Sequence, residues 1–231
     1  MARRREATTA INVITRRSRL SRGRIVGTAI ELADRDGLDA ISMRRLATQL
    51  KVDPMALYHH VDGKDELVDA MLDRVVSDIV PVTAEPWRDA LRGTVHAARG
   101  VMLAHPWAMR ALEARPATPA VLRHVDAVLG ILRGGGFSRA LSHHAVHLFG
   151  SRLLGFSHNL VEHDAERSAA LLAQWGETLP HLAEFAGAGQ TPDELVACDP
   201  DLEFEFTLVL LLQALEERRA AEAVAHTGAP R

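Results

Sequence analysis

The sequence predicts an all-α protein of nine to ten helices. Apolar residues recur at spacings of three and four along almost the whole of the 231 residues, as they do on one face of a helix. Strand signals are nearly absent, and aromatic residues make up only 4% of the chain. Proline and glycine breaks separate short helices in the first third from longer, more apolar helices beyond Asp73. We therefore expect a small helical domain followed by a larger one.

The first two helices each follow a residue that caps helix N-termini. Helix one is predicted from Arg22 to Arg35 behind Ser21, and helix two behind Ser42, because a serine oxygen accepts a hydrogen bond from a first-turn amide. Each helix has small and aliphatic residues on one face. The predicted buried residues are Ile25, Ala29, Leu32 and Ala33 in helix one, and Leu46, Ala47 and Leu50 in helix two.

A third, shorter helix follows a tight turn at residues 51–52. Asp53 is well placed as its N-cap and Pro54 as its first residue, while Leu57 and Val61 would point together into the core. Two short helices joined by a turn of three or four residues match the helix-turn-helix, whose second helix lies in the DNA major groove. The side chains then left facing outward are Pro54, Met55, Ala56, Tyr58 and His59.

The stretch from Arg24 to Leu72, RIVGTAIELADRDGLDAISMRRLATQLKVDPMALYHHVDGKDELVDAML, resembles the TetR family of bacterial one-component repressors. The resemblance rests on Gly37, the RRLA run, the turn and the ALYHHVDGKDEL run. The later segments EPWRDALR, AHPW, EARP and GGGFS resemble the tetracycline-repressor branch more loosely. The resemblance implies a homodimer that binds a palindromic DNA operator and is released by a small molecule.

The resemblance also implies which residues contact DNA. Arg44 would contact a base, since its guanidinium suits a bidentate contact to guanine. The base-facing edge would be Pro54, Met55 and Ala56, and the phosphate contacts would be Tyr58, His59 and Lys64. Because that edge offers few hydrogen-bond donors, specificity would depend on Arg44 and on DNA shape.

Three of these residues have a plainer interpretation. Tyr58 could fill the core, Arg44 could lie on a solvated face, and Lys64 could pair with Asp65 or Glu66. Charge favours the DNA interpretation, because residues 1–75 hold 14 Lys and Arg against 11 Asp and Glu, whereas the whole chain has a net charge of −3. The basic arm could follow phosphates or a minor groove, or it could be a disordered tail that aids solubility.

The remaining helices are expected to bind the effector and to form the dimer. Helix four, from Lys64 to Val80, links the two parts, and later helices are predicted near residues 87–103, 107–114, 119–133, 138–163, 166–177 and 201–221. The expected domains are a basic flexible arm at 1–20, a helix-turn-helix DNA-binding domain with its linking helix at 21–80, a ligand-binding and dimerisation domain at 81–223, and a flexible tail at 224–231.

The last helix is apolar on more than one face, so one face needs a cover. Glycines in the helix from Ser138 would permit close helix approach, and pairing the two helices would form a four-helix dimer interface, as in the family. Burial within one chain is the alternative. The predicted interface residues are Gly150, Gly155, Leu208, Leu211, Leu212 and Leu215.

The effector is expected to be mainly hydrophobic. In the tetracycline repressors the drug arrives with magnesium, which is held by a histidine at the end of the helix-six region and by polar or acidic residues from helices five and eight. Here the helix-six stretch HPWAMRALEARP has no histidine after His105, and the stretch GFSHN, where the family's eighth helix supplies an acid, ends in Asn159. The candidate ligand-binding residues are His96, Met102, Trp107, Met109, His147, Arg152, Phe156 and Asn159. No cofactor is predicted.

Other functions are less well supported by the sequence. His143 and His147 are four residues apart, a spacing that can chelate a transition metal, but a third ligand is not evident. A metal-responsive regulator and a helical binding module without a DNA role therefore remain alternatives. No catalytic motif is present, the single cysteine excludes an intrachain disulfide, and a cytoplasmic protein without a membrane span is expected.

Overall fold

The computed structural model describes residues 20–83, 85–153, 178 and 200–227, and these ranges are helical with no strand. The all-α prediction is confirmed. The α-helices are α1 Arg22–Asp36, α2 Met43–Leu50, α3 Pro54–Tyr58, α4 Lys64–Ser77, α5 Trp87–Ala104, α6 Trp107–Ala114, α7 Pro119–Gly134, α8 Arg139–His147 and α9 Pro200–Thr227. A 3-10 turn, Leu38–Ala40, follows α1, and a π-helical segment, Leu148–Leu153, follows α8.

The chain divides into two compact units. The first contains the described residues up to Glu85 together with Asp89–Ile131, and the second contains Pro86–Arg88 and the described residues from Leu132 onwards. In the first unit, α4 is the central element, because its residues Leu67, Met71 and Leu72 are fully buried and it packs against both α1 and α6. No described helix is long and apolar enough to span a bilayer.

The predicted caps of the first helices are confirmed. The Ser21 hydroxyl accepts a hydrogen bond from the Arg24 amide at 3.3 Å, and the Ser42 hydroxyl accepts one from the Arg45 amide at 3.2 Å. Since each side chain satisfies an amide that has no partner within the helix, these serines determine where α1 and α2 begin.

Several predicted boundaries need correction. The linking helix α4 ends at Ser77 rather than at residue 80, and α9 continues to Thr227, so residues 224–227 of the predicted tail are helical. The predicted helix over 138–163 is described only as α8, capped by Ser138, and the π-helical segment that follows. The predicted helix over 166–177 lies outside the described residues.

In the second unit, an aromatic pair packs on a glycine turn. The rings of Trp87 and Phe137 meet edge to face with centroids 4.6 Å apart. Between them in sequence, α7 ends at Gly134, and Gly136 has a φ of +82°, which glycine adopts at little cost. The Arg219 guanidinium of α9 donates to the Gly135 carbonyl at 3.2 Å. The GGGF run is therefore a helix end and turn.

Helix α9 has two apolar faces, and the structure assigns them differently from the prediction. Leu208, Leu212 and Leu215 are at most 5% exposed within the single chain, and Leu211 is half-buried. The three buried leucines thus belong to the core of the second unit and offer no surface to a second chain. The exposed apolar side chains of α9 nearest to them are Leu202, Phe206, Val209 and Leu210, at 43–66% exposure.

Candidate DNA interface

Helices α2 and α3 form a packed helix-turn-helix. Leu46 and Leu57 are fully buried, and Val61 is 1% exposed, so the inner faces of both helices are fixed in the core. The Asp53 carboxylate caps α3 by accepting from the Met55 amide at 2.8 Å. In the turn, Lys51 has a φ of 58°, and its amide closes α2 on the carbonyls of Ala47 and Thr48. The predicted turn and cap are confirmed.

The outer edge of α3 carries the residues expected to face DNA. Met55 is 66% exposed and Tyr58 is 44% exposed, so the alternative that Tyr58 fills the core is wrong. Pro54 and His59 are also exposed, whereas Ala56 is half-buried. A small, mostly exposed leading edge allows this short helix to approach base pairs closely.

The two arginines at the start of α2 differ in what they contact. The guanidinium of Arg45 lies 2.5 Å from Oδ2 of Asp36, a carboxylate that Arg35 also contacts. Arg35 and Arg45 hold the pKa of Asp36 below its usual value, so this acid stays ionised and keeps its partners. Arg44 is exposed and has no ion pair among the described residues. Arg44 is therefore the arginine of α2 that is available to a ligand.

Lys64 stands at the first position of α4, where helix amides and charge favour an anion. The two acids with which it could pair are engaged elsewhere. Glu66 lies 2.6 Å from Arg22 and also accepts from the Asp62 amide, while Asp65 pairs with Arg115 at 3.1 Å. Lys64 itself makes no ion pair among the described residues, which removes the plainer interpretation proposed for it.

Several predicted ligand-binding residues can be located. His96 and Met109 are half-buried, Met102 is buried, and His147 is exposed. Trp107 is 5% exposed, but its indole N–H donates to Asp34 in α1 at 2.7 Å, so this polar group is not available to a ligand. The side chain of Arg152, together with Phe156, Asn159 and the predicted interface glycine Gly155, lies outside the described residues; Gly150 is exposed.

The sequence interpretation missed the contacts that join residues 105–120 to α1 and α4. Asp34 accepts from Trp107 and also lies 2.8 Å from Nδ1 of His105. Arg115 contacts Asp69 at 2.5 Å and Asp65 at 3.1 Å, and Asp69 in particular raises the pKa of the guanidinium. The partners are 46 to 73 residues apart in sequence, so local periodicity carries no signal for them.

His124 in α7 was also missed. Its Nδ1 is buried and has no hydrogen-bond partner among the described residues, and burial lowers the pKa of the imidazole, which favours the neutral ring. His143 and His147 have ring centroids 4.6 Å apart, but the described residues contain no group of three side chains that could hold a metal.

A packed helix-turn-helix with an exposed second helix, followed by a larger set of helices, defines a DNA-binding regulator. Residues 25–71 match the family pattern of bacterial regulatory proteins, tetR family, and residues 80–219 match the tetracyclin repressor-like C-terminal domain. Because the second match alone covers more than half of the chain, the chain belongs to the TetR family.

Curated relatives are regulators of the same kind. An HTH-type transcriptional regulator of Saccharopolyspora erythraea is 40% identical over 124 residues, which are 52% of each chain. The present chain thus spans about half the length of that relative. The HTH-type transcriptional repressor DrrR1 of Streptomyces coeruleorubidus is 30% identical over 209 residues, covering 85% of this chain and 77% of the repressor.

Solved structures of ActR from Streptomyces coelicolor have a similar fold. Apo ActR has a TM-score of 0.73 and 27% identity, covering 88% of this chain and 98% of ActR. ActR in complex with actinorhodin has a TM-score of 0.69 and 27% identity, covering 87% of this chain and 99% of ActR.

Proposed function

We propose that this chain is a ligand-responsive transcriptional repressor that binds a palindromic operator as a homodimer. The observation that carries the proposal is the exposed edge of α3, together with the exposed Arg44 of α2, which has no ion pair among the described residues. The six other side chains proposed to contact DNA are Pro54, Met55, Ala56, Tyr58, His59 and Lys64. In this proposal Arg44 contacts a base, the start of α3 enters the major groove, and Lys64 holds a phosphate.

The operator can be found by selecting duplexes from a random library with the full chain. We expect the selected sequence to be a palindrome whose half-sites lie about 34–36 Å apart, or a multiple of this distance. The reason is that two symmetry-related helices must enter the major groove on one side of the DNA. Enrichment of no sequence, together with no salt-sensitive duplex binding, would contradict the proposal.

Arg44 and Lys64 are expected to act differently on that operator. Arg44→Ala should weaken binding by about 1–3 kcal/mol and relax the preference at one base pair per half-site, because it removes a base contact. Lys64→Ala should weaken binding to all sequences alike and reduce the salt dependence. Fluorescence anisotropy with the operator and single-base variants separates the two effects. A uniform loss across all bases for Arg44→Ala would exclude base contact.

We infer that the dimer forms through the exposed apolar face of α9. Leu202, Phe206 and Val209 follow helical spacing and form a face centred about 120° around the helix from the buried leucines, since a helix turns about 100° per residue. A second copy of the same helix supplies a matching face, because a two-fold interface uses the same patch on both chains. The exposed Gly150 lies in the π-helical segment that contacts α9 and fits the edge of this interface. Leu211 lies about 140–180° around the helix from these three side chains, so it is not part of the proposed face.

The effector is proposed to be a mainly hydrophobic small molecule, bound by the helices that follow α4. The solved complex of ActR with actinorhodin supports a small-molecule effector for this chain. His96, Met102 and Met109 are the described candidates, and His124 is a further one because its buried Nδ1 has no hydrogen-bond partner among the described residues. The other candidates are His147, Arg152, Phe156 and Asn159.

A tetracycline response is not expected. Residues 106–116 contain no histidine to hold the magnesium that accompanies the drug in the tetracycline repressors. Adding tetracycline with magnesium to the complex of the protein with its labelled operator should leave the fluorescence anisotropy of the DNA unchanged. Actinorhodin is titrated in parallel as the aromatic probe. Release of the operator by micromolar tetracycline would contradict the proposed effector class.

A further inference from the structure

Lys51, in the turn between α2 and α3, has a backbone conformation that usually belongs to glycine. Its φ is 58° and its ψ is 46°, and no other non-glycine residue in the described ranges has a positive φ. The Lys51 amide donates to the Thr48 carbonyl at 3.2 Å, and the Val52 amide donates to the Ala47 carbonyl at 3.0 Å. These two bonds form the Schellman motif, in which glycine is favoured at this position because a Cβ is crowded there. Lysine therefore makes the turn less stable than glycine would.

The turn does not use the side chain of Lys51. This residue is exposed, and its ammonium has no ion pair or hydrogen bond among the described residues. The bonds that end α2 come from backbone amides, which glycine would supply equally well. A strained residue whose side chain contributes nothing to the fold indicates a function for that side chain.

Lysine is rare in this chain, and the two lysines flank α3. Of the 27 basic residues only Lys51 and Lys64 are lysines, one shortly before α3 and the other shortly after it. Helix α3 has five residues, so it is about 7.5 Å long, whereas the major groove is about 12 Å wide. Residues just beyond the two ends of α3 would thus lie near the phosphate backbones that border the groove. A lysine ammonium has three rotatable donors, so it can bind a phosphate from many directions.

We propose that Lys51 is kept at this strained position because its ammonium binds a DNA phosphate at the edge of the groove that α3 enters. The inference rests on the proposed function, since it requires α3 to lie in the major groove. It adds one phosphate contact per chain to the contacts proposed above. Because a phosphate contact carries no base information, Lys51 strengthens binding to the operator and to random duplexes alike.

The salt dependence of duplex binding tests the charge of Lys51. Lys51→Gln removes the charge but keeps a Cβ, so it should weaken binding to the operator and to a random duplex by the same factor at an unchanged melting temperature. A dimer loses two contacts, so the slope of log affinity against log salt should fall in magnitude by about 1.8. At 0.15 M salt this slope change corresponds to an affinity loss on the order of 30-fold. Lys51→Arg keeps the charge and should keep the wild-type slope.

Lys51→Gly separates the stability of the turn from DNA binding. Because it removes both the crowded Cβ and the charge, the melting temperature at fixed protein concentration should rise by about 2–4 °C, while the salt slope falls as it does for Lys51→Gln. A residue that served only the fold would not show this combination of higher stability and weaker binding. A melting temperature that does not rise would overturn the proposal, because lysine would then not strain the turn.

The matched control for the charge is Arg139→Gln. It removes one positive charge from an exposed residue at the start of α8, in the second unit, and should leave the salt slope unchanged. If the wild-type chain binds duplex DNA and Lys51→Gln lowers the slope no more than Arg139→Gln does, this inference is wrong and the proposed function stands. If the wild-type chain binds no duplex, the proposed function fails and the inference fails with it.

Discussion

Phe206→Asp is expected to convert the dimer into a folded monomer that no longer binds the operator. Phe206 is 65% exposed on α9, so the change leaves the core of the second unit intact. At a two-fold interface each substitution acts twice, and each lost aromatic contact is worth about 1.5–3 kcal/mol before the cost of burying a carboxylate is added. Sedimentation should show half the mass, and circular dichroism should show unchanged helicity.

The matched control is Leu122→Asp, which places the same charge on an apolar residue of α7 that is 59% exposed. It should remain dimeric and bind the operator. Leu212→Asp is a poor test, because Leu212 is 2% exposed and the carboxylate would disrupt the core of its own chain. If Phe206→Asp stays dimeric at micromolar concentration, the dimer uses another surface.

The sequence was most informative where structure is decided locally. Ser21, Ser42 and Asp53 each supply an oxygen within three residues of the amide that needs it, so the starts of α1, α2 and α3 could be predicted. The outward face of α3 could also be predicted locally, because the spacing of Leu57 and Val61 shows which side of the helix is buried.

The faces of α9 could not be assigned in this way. Periodicity showed that the helix is apolar on more than one side, but both stripes have helical spacing, and only packing within the second unit determines which is buried. Leu208 and Leu212 pack inside the chain, whereas Phe206 faces out. The contacts of Asp34 with His105 and Trp107, 71 and 73 residues away, were hidden because charge pairing at long range leaves no local pattern.

Gly135→Ala is expected to destabilise the protein by about 1–3 kcal/mol, the usual cost of overpacking. A Cβ at this position would lie 2.6 Å from Cγ and 2.7 Å from Cβ of Trp87. Trp87 cannot easily move, because it begins α5 and its ring packs edge to face on Phe137. Urea unfolding at fixed protein concentration measures the change in the free energy of unfolding.

Gly134, the adjacent glycine, is the control, because alanine there should not destabilise the protein. A Cβ on Gly134 would meet no atom within 4 Å, and Gly134 is the last residue of α7, where alanine is favoured over glycine by up to about 1 kcal/mol. Gly134→Ala should therefore be neutral or stabilising. The clash also predicts coupling: in a Trp87→Gly background, Gly135→Ala should cost little, because the Cβ, Cγ and Cδ1 of Trp87 that it meets are all gone. An equal cost in both backgrounds would show that backbone conformation, and not contact with Trp87, requires glycine at this turn.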